Sequence, residues 1–501
     1  MHPPLLVDLQ GTELAAEERA LLARPGVAGV CLFSRNLAGL AQARALVAEA
    51  LAAADRPLVI AIDQEGGGVV RLQGVAVAPS AMALGAVDDP ALTERIGAAT
   101  GRGLRAIGVN VDFAPVADVQ SNPGNPIVGD RSFGADPALV ARHVAAFVRG
   151  LQATGVAATV KHFPGHGDVA VDSHLALPRL DADLARLEAL EWPPFAAGIG
   201  AGAAAAMSGH LLVPALDPEL PATLSPAILG GALRGRLGFQ GLLFTDALDM
   251  RAIADGWGVP EAAVLSMAAG VDVPVVCNGH PGLYHTMLDA LEAAAADGRL
   301  PAARVAEARA RLDLLLAAYP SAPLDLDASV LEADAATEHE AARRAVTVLG
   351  TPPTLRPGAV VALFGRPSEA TSGASDAARP VAALVDALEE AGVPVRWATT
   401  AADLPLALAG AQALVVATSE RRPLDDAAVA GYRGAFERAR EAGVPAVHAA
   451  LWNPAHVSAL PGPAVVPFGF RPASAAALAA VLLGGEARGR SPIPLAPWGG
   501  A

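Results

Sequence analysis

VAATVKHFPGHGDVAVDSH, residues 156–174, begins as a strand and ends as a loop crowded with ionisable groups. Its first residues have the length and β-branched, apolar character of a buried strand. Lys161 and His162 then close the run, and the following loop carries His166, Asp168, Asp172 and His174 together with Gly165 and Gly167. Lys161 is the only lysine in the chain, and every other cationic side chain outside the histidines is arginine. A strand that delivers such side chains at its C-terminal end is one element of a larger pattern.

Seven other runs repeat it: LLVDLQG (5–11), VAGVCLF (27–33), PLVIAID (57–63), VNVDFAP (109–115), AAAAMSGH (203–210), GLLFTD (241–246) and VDVPVVCN (271–278). Between them lie stretches of helical period such as LAQARALVAEALAAA (40–54), DPALVARHVAAFVRGLQATG (136–155) and SPAILGGALRGRLG (225–238). Eight βα units predict an α/β chain with an N-terminal (β/α)8 TIM barrel, whose active site sits where the strand C-termini converge. Asp63, His162, His210, Asp246 and Asn278 each end one of these runs, so they are expected to meet at one mouth.

The 501 residues exceed the size at which one core usually splits, so a second domain is expected. Helices over 282–318 close the barrel, and PSAPLDLDAS (320–329) carries a linker's proline and aspartate. A helix (331–344) leads into AVTVLG, AVVALFG, VPVRWAT, ALVVAT and VPAVHAAL, separated by helical stretches. The expected division is a catalytic barrel over 1–322, a linker and helix over 323–345, and an open α/β sandwich over 346–501.

Apolar residues make up 53% of the chain and charged residues 17%, a globular rather than disordered balance. A net charge of −15 speaks against nucleic acid and anionic membrane as partners, because both require a basic face. Cys31 and Cys277 are the only cysteines and sit in or beside strand-like runs, which predicts buried reduced thiols rather than disulfides. MHPPLLVDLQGTELAAEE has no basic leader region, no long apolar core and an early aspartate. No run of membrane-spanning length occurs either, so a cytoplasmic location is expected.

Three chemistries compete for residues 161–174. His162, His166, Asp172 and His174 are all ligand types for zinc or iron, but their spacing matches no closed zinc motif and Lys161 is a poor neighbour for a dication. A purely structural loop is the second. The third is a sugar site, with Asp172 orienting His174 as a proton donor and later a base, and with Lys161 and His162 giving hydrogen bonds to ligand oxygens. Gly165 and Gly167 let that loop turn and let substrate approach the backbone. An acid requires a partner, and Asp246, at the end of GLLFTD, is placed as a nucleophile. Asp249 is the competing carboxylate but stands where a helix cap is expected. Asp63 with Arg71, and Asp130 with Arg131, pair a carboxylate with an arginine fork and suit vicinal hydroxyls.

With these residues in place, the chain resembles glycoside hydrolase family 3, in its bacterial β-N-acetylglucosaminidase branch and two-domain form. DLQGTELAAEE…GVCLFSRN, IDQEGGGVVRL, NPIVGDRSFG, KHFPGHGDVAVDSH, SGHLLVPALD and FTDALDM carry the resemblance in family order, over nearly the whole chain. KHFPGHG followed by DSH is the most specific of them. The resemblance extends to the second domain, which ends in FGFRPASAAALAAVLLGGEARGRSPIPL. It departs at Gly68, where the family usually has arginine.

The resemblance implies Asp246 as nucleophile through a covalent glycosyl-enzyme, His174 as acid/base and Asp172 as its partner. It implies substrate binding by Asp63, Arg71, Arg131, Lys161 and His162, with His210 beside them. No metal or organic cofactor is implied. The expected enzyme is a retaining exo-β-N-acetylglucosaminidase acting on non-reducing-end N-acetylglucosamine of muropeptides or small chitooligosaccharides. A phosphorylase on the same site, an inert sugar-binding regulator and a metal-dependent hydrolase are its rivals. The second domain is expected either to contribute to the mouth or to mediate a homodimer.

Overall fold

The computed structural model describes residues 1–171, 173, 175–277, 280–367 and 379–495. All eight runs form strands: β1 (Leu5–Asp8), β2 (Val27–Leu32), β3 (Val59–Ile62), β4 (Val111–Asp112), β5 (Ala157–Phe163), β6 (Ala205–Ser208), β7 (Leu242–Ala247) and β8 (Val273–Val275). They close in the order β1-β8-β7-β6-β5-β4-β3-β2, with every neighbouring pair parallel.

Strands buried on both faces need apolar residues at successive positions, which is why these runs read as continuous rather than alternating. The inner set, including Leu6, Cys31, Ala61, Phe113, Met207, Phe244 and Val275, fills the barrel. Phe113 and Phe244 meet there edge to face at 5.3 Å. The outer set joins the surrounding helices in one large core. Those helices start where the sequence supplies caps: Asp136 accepts from the Ala138 N–H at 3.0 Å at the head of Pro137–Gln152, and Asp89 caps Pro90–Arg105. The stretch Ala227–Arg236 is helical too, with its hydrogen bonds widened to i→i+5.

A second sheet contains β9 (Thr347–Leu349), β10 (Val361–Phe364), β11 (Val395–Ala398), β12 (Leu414–Thr418), β13 (Ala446–Ala450) and β14 (Ala464–Val466). Its order is β9-β14-β13-β12-β10-β11, parallel except for the edge strand β9. An apolar seam joins it to the barrel, with Met82, Ala83 and Ala86 packed against Ala450, Val457, Val466 and Phe468. Helix Ala328–Ala345 adds ion pairs to the barrel helix Pro90–Arg105 and its Asp89 cap, Arg95–Glu340 at 2.7 Å and Arg344–Asp89 at 2.9 Å among them. Among the described residues no helix is long and apolar enough to cross a membrane.

Candidate active site

The strand C-termini open into a cleft of about 900 Å³, counting its mouth, within the range of small-molecule sites. Asp63, Arg71, Arg131, Lys161, His162 and Asp246 all line it. Residues up to 183 positions apart in the chain, from Asp63 to Asp246, thus meet because parallel strands end at one rim.

At its base stands Lys161, 2% exposed, with Nζ 2.7 Å from Asp63 Oδ1 and 2.6 Å from Glu65 Oε1. Burial alone would lower the ammonium's pKa, yet the Asp63 and Glu65 carboxylates outweigh burial and the opposing Arg131, so the net shift is upward. Arg131 lays its fork on Glu65, Nε to Oε2 and Nη2 to Oε1, both at 2.8 Å. Burial pushes the Glu65 carboxyl up, but Arg131 and Lys161 together hold it well below the usual carboxylate range. Glu65 follows Asp63 by two residues on the short hairpin of Gln64–Gly66 and Val69–Val70. Gln64 orients that hairpin, its side-chain oxygen accepting from the Arg71 and Leu72 N–H groups at 2.9 and 3.0 Å. Arg71 Nη2 lies 3.9 Å from Asp63 Oδ2, and its guanidinium stands over the Phe33 ring at 5.5 Å.

The register between β5 and β6 shifts between Val160 and Phe163, an irregularity that lets the successive Lys161 and His162 both face the cleft. His162 Nδ1 is 2.8 Å from Asp118 Oδ2, a carboxylate that only accepts, so Nδ1 carries the hydrogen of that bond, and Nε2 stands 3.5 Å from Arg131 Nη2. Asp118 Oδ1 also receives the backbone N–H of His162 at 3.2 Å and of His166 at 2.7 Å, fixing the start of the loop. Gly165 has φ 126°, and a Cβ on Gly167 would stand 1.6 Å from the Val119 carbonyl oxygen, so neither position accepts a side chain without movement.

On β7, Asp246 is half-buried, and its Oδ1 accepts from the Ala247 N–H at 2.8 Å. His210 does not line the cleft. It is fully buried, with Nε2 2.9 Å from the Ala247 carbonyl and Nδ1 2.8 Å from the Thr223 hydroxyl. The Gly209 N–H bonds to the Phe163 carbonyl, continuing the β5–β6 ladder one residue past Ser208 and placing His210 just beyond the paired strand. Asp249 lines the cleft, but it accepts from the Cys277 N–H at 2.9 Å instead of capping a helix. Asp130 is not a cleft residue either, since the turn Gly129–Arg131 sends it away while Arg131 points in. Asp172, His174 and Asn278 lie outside the described residues. Ser173, between the first two in sequence, is buried and lines the cleft, with Oγ 3.3 Å from His166 Nε2 and its carbonyl accepting from the Ala252 N–H. Among the described residues no group of three or more His, Cys, Asp or Glu side chains is placed to hold a metal ion.

Beneath Lys161, Asp112 is fully buried; Oδ1 accepts from the Gln64 N–H at 2.9 Å and Oδ2 has no partner among the described residues. Burial pushes its carboxyl up to about 8, against hydrogen bonding from Gln64 and the attraction of Lys161. A raised folded value means the folded state holds the proton that the unfolded chain releases near pH 4, so this contribution is full below about pH 4 and lost as pH rises through 8. Asp112→Asn is expected to flatten the fall in thermal midpoint between pH 6 and 9; an unchanged slope in differential scanning fluorimetry would refute a titrating Asp112.

Glu65 and Asp118 were not picked out by sequence reasoning. Glu65 sits in the same quoted segment as Asp63, and an i,i+2 carboxylate pair at a strand end was the available signal.

The profile of the Glycosyl hydrolase family 3 N terminal domain matches residues 6–315. A β-hexosaminidase of Stenotrophomonas maltophilia (strain K279a) is 43% identical over 295 residues, 58% of this chain and 87% of that protein. The solved glycoside hydrolase family 3 β-N-acetylglucosaminidase from Paenibacillus sp. str. FPU-7 superposes with a TM-score of 0.91 at 35% identity, over 98% of this chain and 97% of that one. NagZ from Neisseria gonorrhoeae, solved with N-trifluoroacetyl-D-glucosamine, matches 68% of this chain and 98% of its own at 31% identity and a TM-score of 0.60. A profile that spans the barrel and a structural match that runs through both sheets lead to one assignment: the chain is a glycoside hydrolase and belongs to glycoside hydrolase family 3.

Proposed function

We propose that the chain is a retaining exo-β-N-acetylglucosaminidase that removes non-reducing-end N-acetylglucosamine from muropeptides or small chitooligosaccharides. The observation that carries this is the placement of Asp246 across one cleft from the Lys161–Asp63–Glu65–Arg131 network, in a chain whose relatives are named β-hexosaminidase and β-N-acetylglucosaminidase. In this proposal Asp246 attacks the anomeric carbon and the glycosidic C–O bond breaks. His174, oriented by Asp172, gives its proton to the departing oxygen. His174 then takes a proton from water, which attacks the same carbon and releases Asp246, so the configuration is retained. Asp63, Lys161, Arg71, Arg131 and His162 hold the ring hydroxyls. Ser173 on the cleft wall supports the 172–174 segment as the source of the acid.

Release of nitrophenol from its β-N-acetylglucosaminide but not its β-glucoside, in phosphate-free buffer, is the expected result. Silence until phosphate is added, with a sugar-1-phosphate as product, would assign phosphorolysis on the same site instead. His174→Ala tests the acid separately. Nitrophenolate leaves without help, so kcat/KM on chitobiose should fall about 100-fold more than on the nitrophenyl substrate. Equal loss on both would remove His174 from that role.

A further inference from the structure

The segment Asn125–Arg131 is held from both domains. From the barrel, Asn125 Oδ1 accepts from the Ile127 and Val128 N–H groups at 2.9 and 2.8 Å, and its amide donates to the His166 carbonyl at 2.8 Å. From the second domain, Arg421 donates to the Ile127 carbonyl, and Trp452 Nε1 donates to Asp130 Oδ1 at 3.0 Å. Trp452 is 3% exposed and Asp130 4%. The indole is seated against Phe470, ring centroids 4.6 Å apart. Neither Trp452 nor Asp130 lines the cleft, but Ile127 and Arg131, the residues beside each link, do.

Asp130 has one hydrogen bond to its side chain among the described residues, and it comes from Trp452; Oδ2 is buried without a partner. Burial pushes this carboxyl up to about 6, with Arg421 and the indole N–H pulling it back. A buried carboxylate that loses its single donor either takes up a proton or moves toward water. Either response changes what anchors the peptide that leads directly into Arg131, whose fork on Glu65 is set by two 2.8 Å bonds. Other links across the same interface, such as Arg344 on Asp89, touch no cleft residue.

We propose that Trp452 of the second domain is a positioning residue for the sugar site: its indole N–H on Asp130 sets where Arg131 stands. The proposal rests on the β-N-acetylglucosaminidase function proposed above. Trp452→Phe keeps an aromatic ring against Phe470 and removes the donor. Arg131 holds the sugar in ground and transition states alike, so the loss should appear as binding. KM for nitrophenyl β-N-acetylglucosaminide and Ki for free N-acetylglucosamine should rise together by about tenfold, with kcat within about twofold. Arg344→Gln, on the same interface, should lower the thermal midpoint and leave KM unchanged.

A Trp452→Phe protein with a lowered thermal midpoint but wild-type KM and Ki would overturn the proposal and leave Trp452 as packing between domains. If that variant does not fold, Asp130→Ala, which removes the acceptor of the same bond, is read in the same assay, where a matching rise in KM supports the proposal and a wild-type KM overturns it. An active wild type with unchanged variants refutes only the positioning role. A wild type inert on the N-acetylglucosaminide with and without phosphate refutes the proposed β-N-acetylglucosaminidase function, and this proposal with it.

Discussion

Asp246→Asn should lower nitrophenyl β-N-acetylglucosaminide turnover by about 10⁴-fold and leave the thermal midpoint nearly unchanged. The second half follows from the geometry. Asp246 Oδ1 accepts from the Ala247 N–H at 2.8 Å, and an asparagine oxygen keeps that bond. The strand end is also held independently, by His210 on the Ala247 carbonyl and by the Leu248 N–H on the Val275 carbonyl. The first half follows from chemistry: an amide has no anionic oxygen to form the glycosyl-enzyme. Asp246→Ala then separates loss of a nucleophile from loss of shape. Added azide should enter the vacated space and restore turnover, giving the α-azide because it attacks the face the carboxylate used. Asp249 is the only rival carboxylate on that wall among the described residues, and its Oδ1 is occupied by the Cys277 N–H. Less than tenfold loss in Asp246→Asn, with collapse in Asp249→Asn, would transfer the role.

The eight strands were legible because each is an apolar run of strand length, bounded by residues of helical period and ended by a polar side chain. Even β4, reduced to Val111–Asp112 as a paired strand, announced itself through VNVDFAP. Of the residues that end those runs, Asp63, His162 and Asp246 line the mouth, and Asn278 lies outside the described residues. His210 also ends its run, but its ring is bonded on both nitrogens within the barrel, to the Ala247 carbonyl and the Thr223 hydroxyl. The pattern could not separate Asp130 from Arg131, since adjacent residues of a tight turn point in different directions, one to Glu65 and one to Trp452. Partnerships across the barrel have no spacing to detect. Asp118 meets His162 from 44 positions away, and Trp452 meets Asp130 from 322.

Lys161 shows why one unusual residue was the better guide. Two carboxylates on different residues, Asp63 and Glu65, converge on one nitrogen at 2.7 and 2.6 Å. A compact ammonium can bond both, whereas a planar fork matches one carboxylate at a time, as Arg131 does on Glu65. A chain that uses arginine everywhere else therefore retains lysine here. Lys161→Met leaves the buried Glu65 carboxylate and the partly exposed Asp63 with one cation fewer, and it should cost about 3 kcal/mol of stability at pH 7.

The deficit carries a sign that can be checked. In the wild type the Glu65 carboxyl lies well below its ordinary value, so its share of stability is present above about pH 4 and is lost as pH falls. Without the ammonium that carboxyl titrates at higher pH and can shed its charge by taking up a proton. The gap in thermal midpoint between wild type and Lys161→Met should thus be widest near pH 8 and narrow toward pH 4.5. Lys161→Arg should recover part of the stability and little of the activity, because the fork cannot reproduce both bonds. A gap that does not change with pH would mean that Lys161 stabilises by packing alone, and full activity in Lys161→Arg would mean that its charge, not its shape, is what the cleft requires.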